Sequence, residues 1–177
     1  QLLGHSIQKI AGAVTLGELD FLLLNKQTQE IEHWEVALKY YLGENELNLS
    51  EWFGLNRQDT LQRKLRHFTQ RQFQFSETSQ YTIQRKFAVM KGQLYLPEPH
   101  YASSIPEWIN RSRRLGQWGT IIPVLPYYRL QRHEWLCPDQ HPSSQTAKWW
   151  SNGLYHNVDT EPMYYMFRQP VLLFIPA

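Results

Sequence analysis

The sequence predicts an α/β fold: a mixed β-sheet with helices on its faces, followed by a C-terminal α+β extension. Three observations lead there. Two strand-like runs, Val14 to Leu24 and Ile31 to Leu42, flank a polar turn that begins at Asn25. A basic amphipathic helix follows, with an expected N-cap at Asp59 and an end near Phe73. Alternating apolar segments resume at Tyr81 and recur towards the C-terminus.

Taken in order, His5 to Ile10 alternates as an edge strand does, and Gly12 breaks it. Val14 to Leu24 carries Glu18 and Asp20 inside the apolar run LGELDFLLL. Strand side chains alternate with period two, so these two acids share one face. In Ile31 to Leu42, His33, Glu35, Ala37 and Lys39 alternate against Trp34, Val36, Leu38 and Tyr40, which favours a strand over a helix; Gly43 ends it. Residues 43–58 read as a loop with a short strand around Trp52 and Phe53. In the helix, Leu61, Leu65 and Phe68 form the core-facing stripe. Lys64, His67 and Arg71 lie along its flank, while Arg63, Arg66 and Gln70 face outward.

Tyr81 to Met90 and Gln93 to Leu96 read as two strands of a hairpin turning at Lys91-Gly92. The proline-rich loop from Pro97 to Ser104 places a boundary between a core, residues 1–97, and an extension, residues 98–177. In the extension, Pro106 and Gly116 bracket an expected helix from Pro106 to Leu115, which carries Arg111, Arg113 and Arg114. Pro123 and Pro126 restrict Thr120 to Leu130 to an edge strand or extended segment. Ser143 or Ser144 caps a helix reaching about Trp150, Gly153 to Glu161 is loop, and Tyr164 to Ile175 closes the chain as strands interrupted at Pro170.

A length of 177 residues suits one domain, or one with a small appendage, and 14% aromatic residues provide large packing anchors. The single cysteine, Cys137, allows no disulfide within the chain, and no apolar run approaches a membrane span, so a cytoplasmic protein is expected. The net charge of +2 hides an uneven distribution: −5 over residues 1–55 and +6 over residues 56–91. Acids for a cation beside bases for backbone phosphates suit a metal-dependent phosphodiesterase; two oppositely charged faces packed together is the plainer alternative. The chain has no P-loop, dinucleotide-binding glycine fingerprint, HExxH or GxSxG, so no small-molecule cofactor is expected. One cysteine with His133 and His141 in a proline-rich loop falls short of a structural zinc site.

Charge inside a central strand is costly unless it is paired or binds metal. If the two strands pair, Glu18, Asp20 and Glu35 can converge with Lys39 nearby. That set could hold a hard divalent cation, with a lysine to steady an attacking water or a developing negative charge.

GELDFLLLN followed by HWEVALKYYL resembles the core of the PD-(D/E)XK superfamily of restriction-endonuclease-like nucleases, in which a GEhD-type motif precedes a strand carrying E-x-K. More narrowly, and over nearly its whole length, the chain resembles the uncharacterised bacterial domain-of-unknown-function family DUF1853, which shares the LGE-D-FLL, HWE-A-K-YL and RQPVLL-like patterns. The resemblance implies a restriction-endonuclease-like core and a nuclease that cuts DNA. Asp20 and Glu35 would hold Mg²⁺ or Mn²⁺ with help from Glu18.

Folds of that kind open with a helix. The chain begins at QLLGHSIQKI without Met or that helix, so a preceding piece is expected to be missing. The chain also departs from the motif: Ala37 occupies the lysine position, and Lys39 lies four residues after Glu35. Four strand residues span about 13 Å against about 7 Å for two. Either Lys39 reaches the site by its length or across a β-bulge, or Lys64 replaces it from the helix, with His67 and Arg71 and the outward Arg63 and Arg66 as phosphate contacts. A second expectation is a catalytically inactive module of the same fold that binds nucleic acid or a protein partner.

Overall fold

The computed structural model describes residues 1–99, 105–110, 112–113, 115–136, 149–157, 159 and 164–170. Nine strands form one mixed sheet: β1 (Leu2–Ala11), β2 (Val14–Leu24), β3 (Ile31–Gly43), β4 (Trp52–Phe53), β5 (Arg85–Pro97), β6 (Gly116–Gly119), β7 (Tyr128–Arg129), β8 (Gly153–His156) and β9 (Tyr164–Phe167). Their order is β1-β2-β3-β5-β6-β9-β8-β7, with β4 paired to β3. β1 and β2 are antiparallel, as are β2 and β3, whereas β3/β5, β5/β6 and β6/β9 run parallel. The sheet therefore continues from the first 97 residues into the later ones.

Among the described residues there is one α-helix, α1 (Leu61–Gln70), so the expectation of helices on the sheet faces reduces to a single helix. It crosses from β3 to the parallel β5, the connection such a pair requires. Leu61 and Phe68 are buried and Leu65 half-buried, as the apolar stripe predicts. Leu61 and Leu65 pack in one cluster with Tyr41, Trp52 and Leu94, and Phe68 stacks on Phe73. The cap is Thr60, whose hydroxyl accepts from the Arg63 N–H at 3.2 Å; it is not Asp59. The helix stops at Gln70, before a 3₁₀ turn at Gln72–Gln74.

Three further expectations fail for identifiable reasons. Tyr81 to Leu96 is not a hairpin: β5 runs unbroken through Lys91-Gly92, in continuous register with β3 from Glu32↔Arg85 to Leu42↔Tyr95. Gly92 serves close approach instead of a turn. Its φ is +132°, and a Cβ there would lie 1.6 Å from the Lys39 carbonyl oxygen. That register also leaves no bulge between Glu35 and Lys39.

Residues 105–110 form turns instead of the expected helix. Ile109 N–H donates to the Pro106 carbonyl, and the Asn110 side chain accepts from both Ser112 N–H and Ser112 Oγ, a local bond that competes with helix. Residues 153–156 are strand β8 and not loop, because Leu154 and Tyr155 are fully buried against β9. Between Thr120 and Leu130 only Tyr128–Arg129 pairs in the sheet. The expected helix at 143–150 and the strand after Pro170 fall mostly outside the described residues. No helix among the described residues is long and apolar enough to cross a membrane.

Candidate functional site

The site forms where two strands separate. β2 and β3 pair from Leu24↔Ile31 to Phe21↔Trp34, and the ladder goes no further. The next two residues, Asp20 and Glu35, extend it with their side chains. Val36 N–H donates to Asp20 Oδ2 at 2.8 Å, and Asp20 N–H donates to Glu35 Oε1 at 3.3 Å. Separating strands leave backbone donors that need acceptors, and the two carboxylates satisfy them. The same bonds tie each carboxylate to the backbone of the opposite strand at this point.

Glu35 and His33 are both fully buried. His33 Nε2 lies 2.5 Å from Glu35 Oε1, and the imidazole packs edge-on against Phe73, with ring centroids 5.8 Å apart. The other carboxylate oxygen, Glu35 Oε2, is buried and has no hydrogen-bond partner among the described residues. An unpartnered carboxylate oxygen out of water is costly, and a bound cation is one way to offset that cost. Period-two parity puts His33 on the Glu35 face, but its role is not among the sequence expectations; a histidine two residues before a buried glutamate is the signal that could have found it.

Lys39 points elsewhere. Its Nζ lies 2.5 Å from Asp59 Oδ2, at the start of α1. Tyr41 Oη reaches Asp59 Oδ1 at 3.5 Å, and burial, then the Asp59 charge, push the Tyr41 hydroxyl pKa above its ordinary range. Asp59, expected as the helix cap, instead anchors Lys39.

Lys64, one turn into the helix, is the amine that senses the whole site. Its ammonium sits 4.1 Å from the Phe68 ring centroid. Burial chiefly, and then Lys39, lower its pKa, while Asp20, Glu35 and Asp59 pull it back up.

Glu18 is exposed, two residues further along β2, and lines a shallow cleft with His67, Arg71 and Phe75. Arg63, Lys64, Arg66, His67 and Arg71 together line a groove of about 500 Å³ along α1, with Asp59 at one end. The expected phosphate contacts thus share one surface with the expected lysine. Among the described residues, no three His, Cys, Asp or Glu side chains come together as a metal-holding group. Asp20 and Glu35 are the two carboxylates of this corner that could serve as ligands, and Mg²⁺ is an ion that binds through one or two carboxylates with several waters. Cys137 and His141 lie outside the described residues.

A family model described as Domain of unknown function (DUF1853) matches residues 1–169. No curated protein and no solved structure matches the chain.

Proposed function

The chain belongs to the family Domain of unknown function (DUF1853), and we propose that it is a metal-dependent nuclease that hydrolyses DNA phosphodiester bonds. The observation that carries this reading is the buried, unpartnered Oε2 of Glu35, whose other oxygen accepts from the Asp20 N–H at the point where β2 and β3 part. Asp20 and Glu35 would hold Mg²⁺ or Mn²⁺. When bound, such an ion supplies charge for the developing negative phosphate oxygens and acidifies a water. His33 fixes the Glu35 carboxylate. Lys64 orients the attacking water, since Lys39 is held by Asp59. Arg63, Arg66, His67 and Arg71 hold the flanking phosphates. Glu18 lines the neighbouring cleft, which shares His67 and Arg71 with this groove, and among the described residues it does not join Asp20 and Glu35 in a metal-holding group of three. The order of the motifs, which resembles that of the PD-(D/E)XK nucleases, supports the same reading.

The test is hydrolysis of supercoiled and linear DNA in Mg²⁺ or Mn²⁺. Wild type should cut, and Asp20→Asn and Glu35→Gln should not. Indistinguishable behaviour of wild type and Asp20→Asn on every DNA substrate would remove the proposal. A second reading, a nucleic-acid-binding module without catalysis, is favoured by the Lys39–Asp59 pair and by the lack of a third carboxylate in the site among the described residues. Salt-dependent DNA binding without metal-dependent cleavage would select it.

A further inference from the structure

Beyond Lys39, on the α1 side of the sheet, lies a separate cavity of about 410 Å³. Its body is apolar: Leu61 and Leu65 of α1, Met90 of β5, and Trp108 from the turn after Pro106. Among the described residues its charged lining consists of Lys39, Lys91 and Arg113, with no Asp or Glu. Trp108 stands edge-on to the buried Trp52, with centroids 5.9 Å apart, and stays 46% exposed. One edge of its ring is therefore fixed while much of its surface is available for stacking. The volume falls in the range of small-ligand pockets.

An apolar, aromatic-walled pocket ringed by cations alone is complementary to a flat, weakly polar body that carries negative charge, which describes a nucleotide. We infer that this cavity receives an unstacked nucleobase of single-stranded nucleic acid, with Trp108 as its stacking partner and Lys91 and Arg113 on the flanking phosphates. The inference rests on the proposed nuclease reading, because Lys39 connects the cavity to the candidate site: it lines the first and is bonded to Asp59, which lines the groove along α1. The pocket gives that site a substrate class: DNA with an unpaired base next to the bond that is cut.

The experiment measures binding of a fluorescently labelled oligothymidylate in chelator, so that no cleavage occurs, against an abasic strand of equal length. Wild type should bind the thymidylate about tenfold or more tightly, the size expected from stacking a base on an aromatic ring. Trp108→Ala should lose that preference and Trp108→Phe should keep most of it, with circular dichroism confirming that both are folded. Equal binding of the two strands by wild type, a preference that survives Trp108→Ala, or no binding of either strand would overturn the inference. Hydrolysis is scored separately: cleavage lost in Asp20→Asn without any base preference leaves the nuclease standing and the pocket refuted. A base preference without cleavage does the reverse.

Discussion

Replacing Glu35 in two different ways separates a carboxylate kept for a ligand from one kept for the fold. In Glu35→Ala, His33 loses the partner of its Nε2, and its Nδ1 already has none among the described residues. The Asp20 N–H loses its acceptor too, and a cavity opens where both side chains were fully buried. Each buried polar group left without a partner costs about 1–3 kcal/mol, and the cavity adds to that. In Glu35→Gln the amide oxygen can still accept from His33 and from Asp20 N–H. The unpartnered Oε2 is replaced by an amide nitrogen of nearly the same shape. The Gln variant keeps the partners of His33 and of the Asp20 N–H that the Ala variant loses, so it should be more stable than the Ala variant by at least about 1 kcal/mol. Urea denaturation in chelator reads both values. With Mn²⁺ added, the wild-type midpoint should rise and the Gln midpoint should not. A Gln variant as unstable as the Ala variant would refute the reasoning, since it would mean that the charge of Glu35 holds the native core together.

Lys64→Met should stabilise the protein at neutral pH. Burial lowers the folded-state pKa of the amine, so the unfolded chain binds that proton more tightly and wild-type stability rises with pH across the interval up to the ordinary lysine value. The gain from Met should therefore shrink as pH rises through that interval, which paired melts at neutral and strongly alkaline pH would show. Gly92→Ala should destabilise by about 1–3 kcal/mol or more, because the residue sits at positive φ and its new methyl meets the Lys39 carbonyl; a denaturation midpoint equal to wild type would contradict the packing described for β5. Arg66→Ala with Arg71→Ala should weaken DNA binding alike for all sequences and lower the salt slope of log K by about 0.9 for each phosphate that the protein no longer neutralises.

The parts of this molecule that were legible in the sequence are those fixed by short-range periodicity. Asp20 and Glu35 come to neighbouring positions just past the last pair of the β2/β3 ladder because both strands are set by their apolar runs and the turn between them is short. Lys64 stands on the flank of α1 because Leu61, Leu65 and Phe68 decide which side of the helix is buried.

What the sequence could not reveal depends on where one element docks against another. Asp59 looks like a cap because acids at helix starts usually are; only the approach of α1 to β3 brings it within 2.5 Å of a lysine twenty positions earlier. Gly92 carries the residue type of a turn, and a glycine serves a turn and a close backbone approach equally well; the parallel register with β3 selects between them. These two positions jointly set the fate of Lys39. Gly92 lets β5 lie tightly against its backbone, and Asp59 takes its ammonium group. The strand lysine is thereby held by Asp59, and the amine on α1, Lys64, feels Asp20 and Glu35, which raise its pKa against the larger lowering by burial and Lys39. On the proposed reading, the role passes from a strand lysine to a helix lysine with no change in the sheet, because α1 brings Lys64 within electrostatic reach of Asp20 and Glu35.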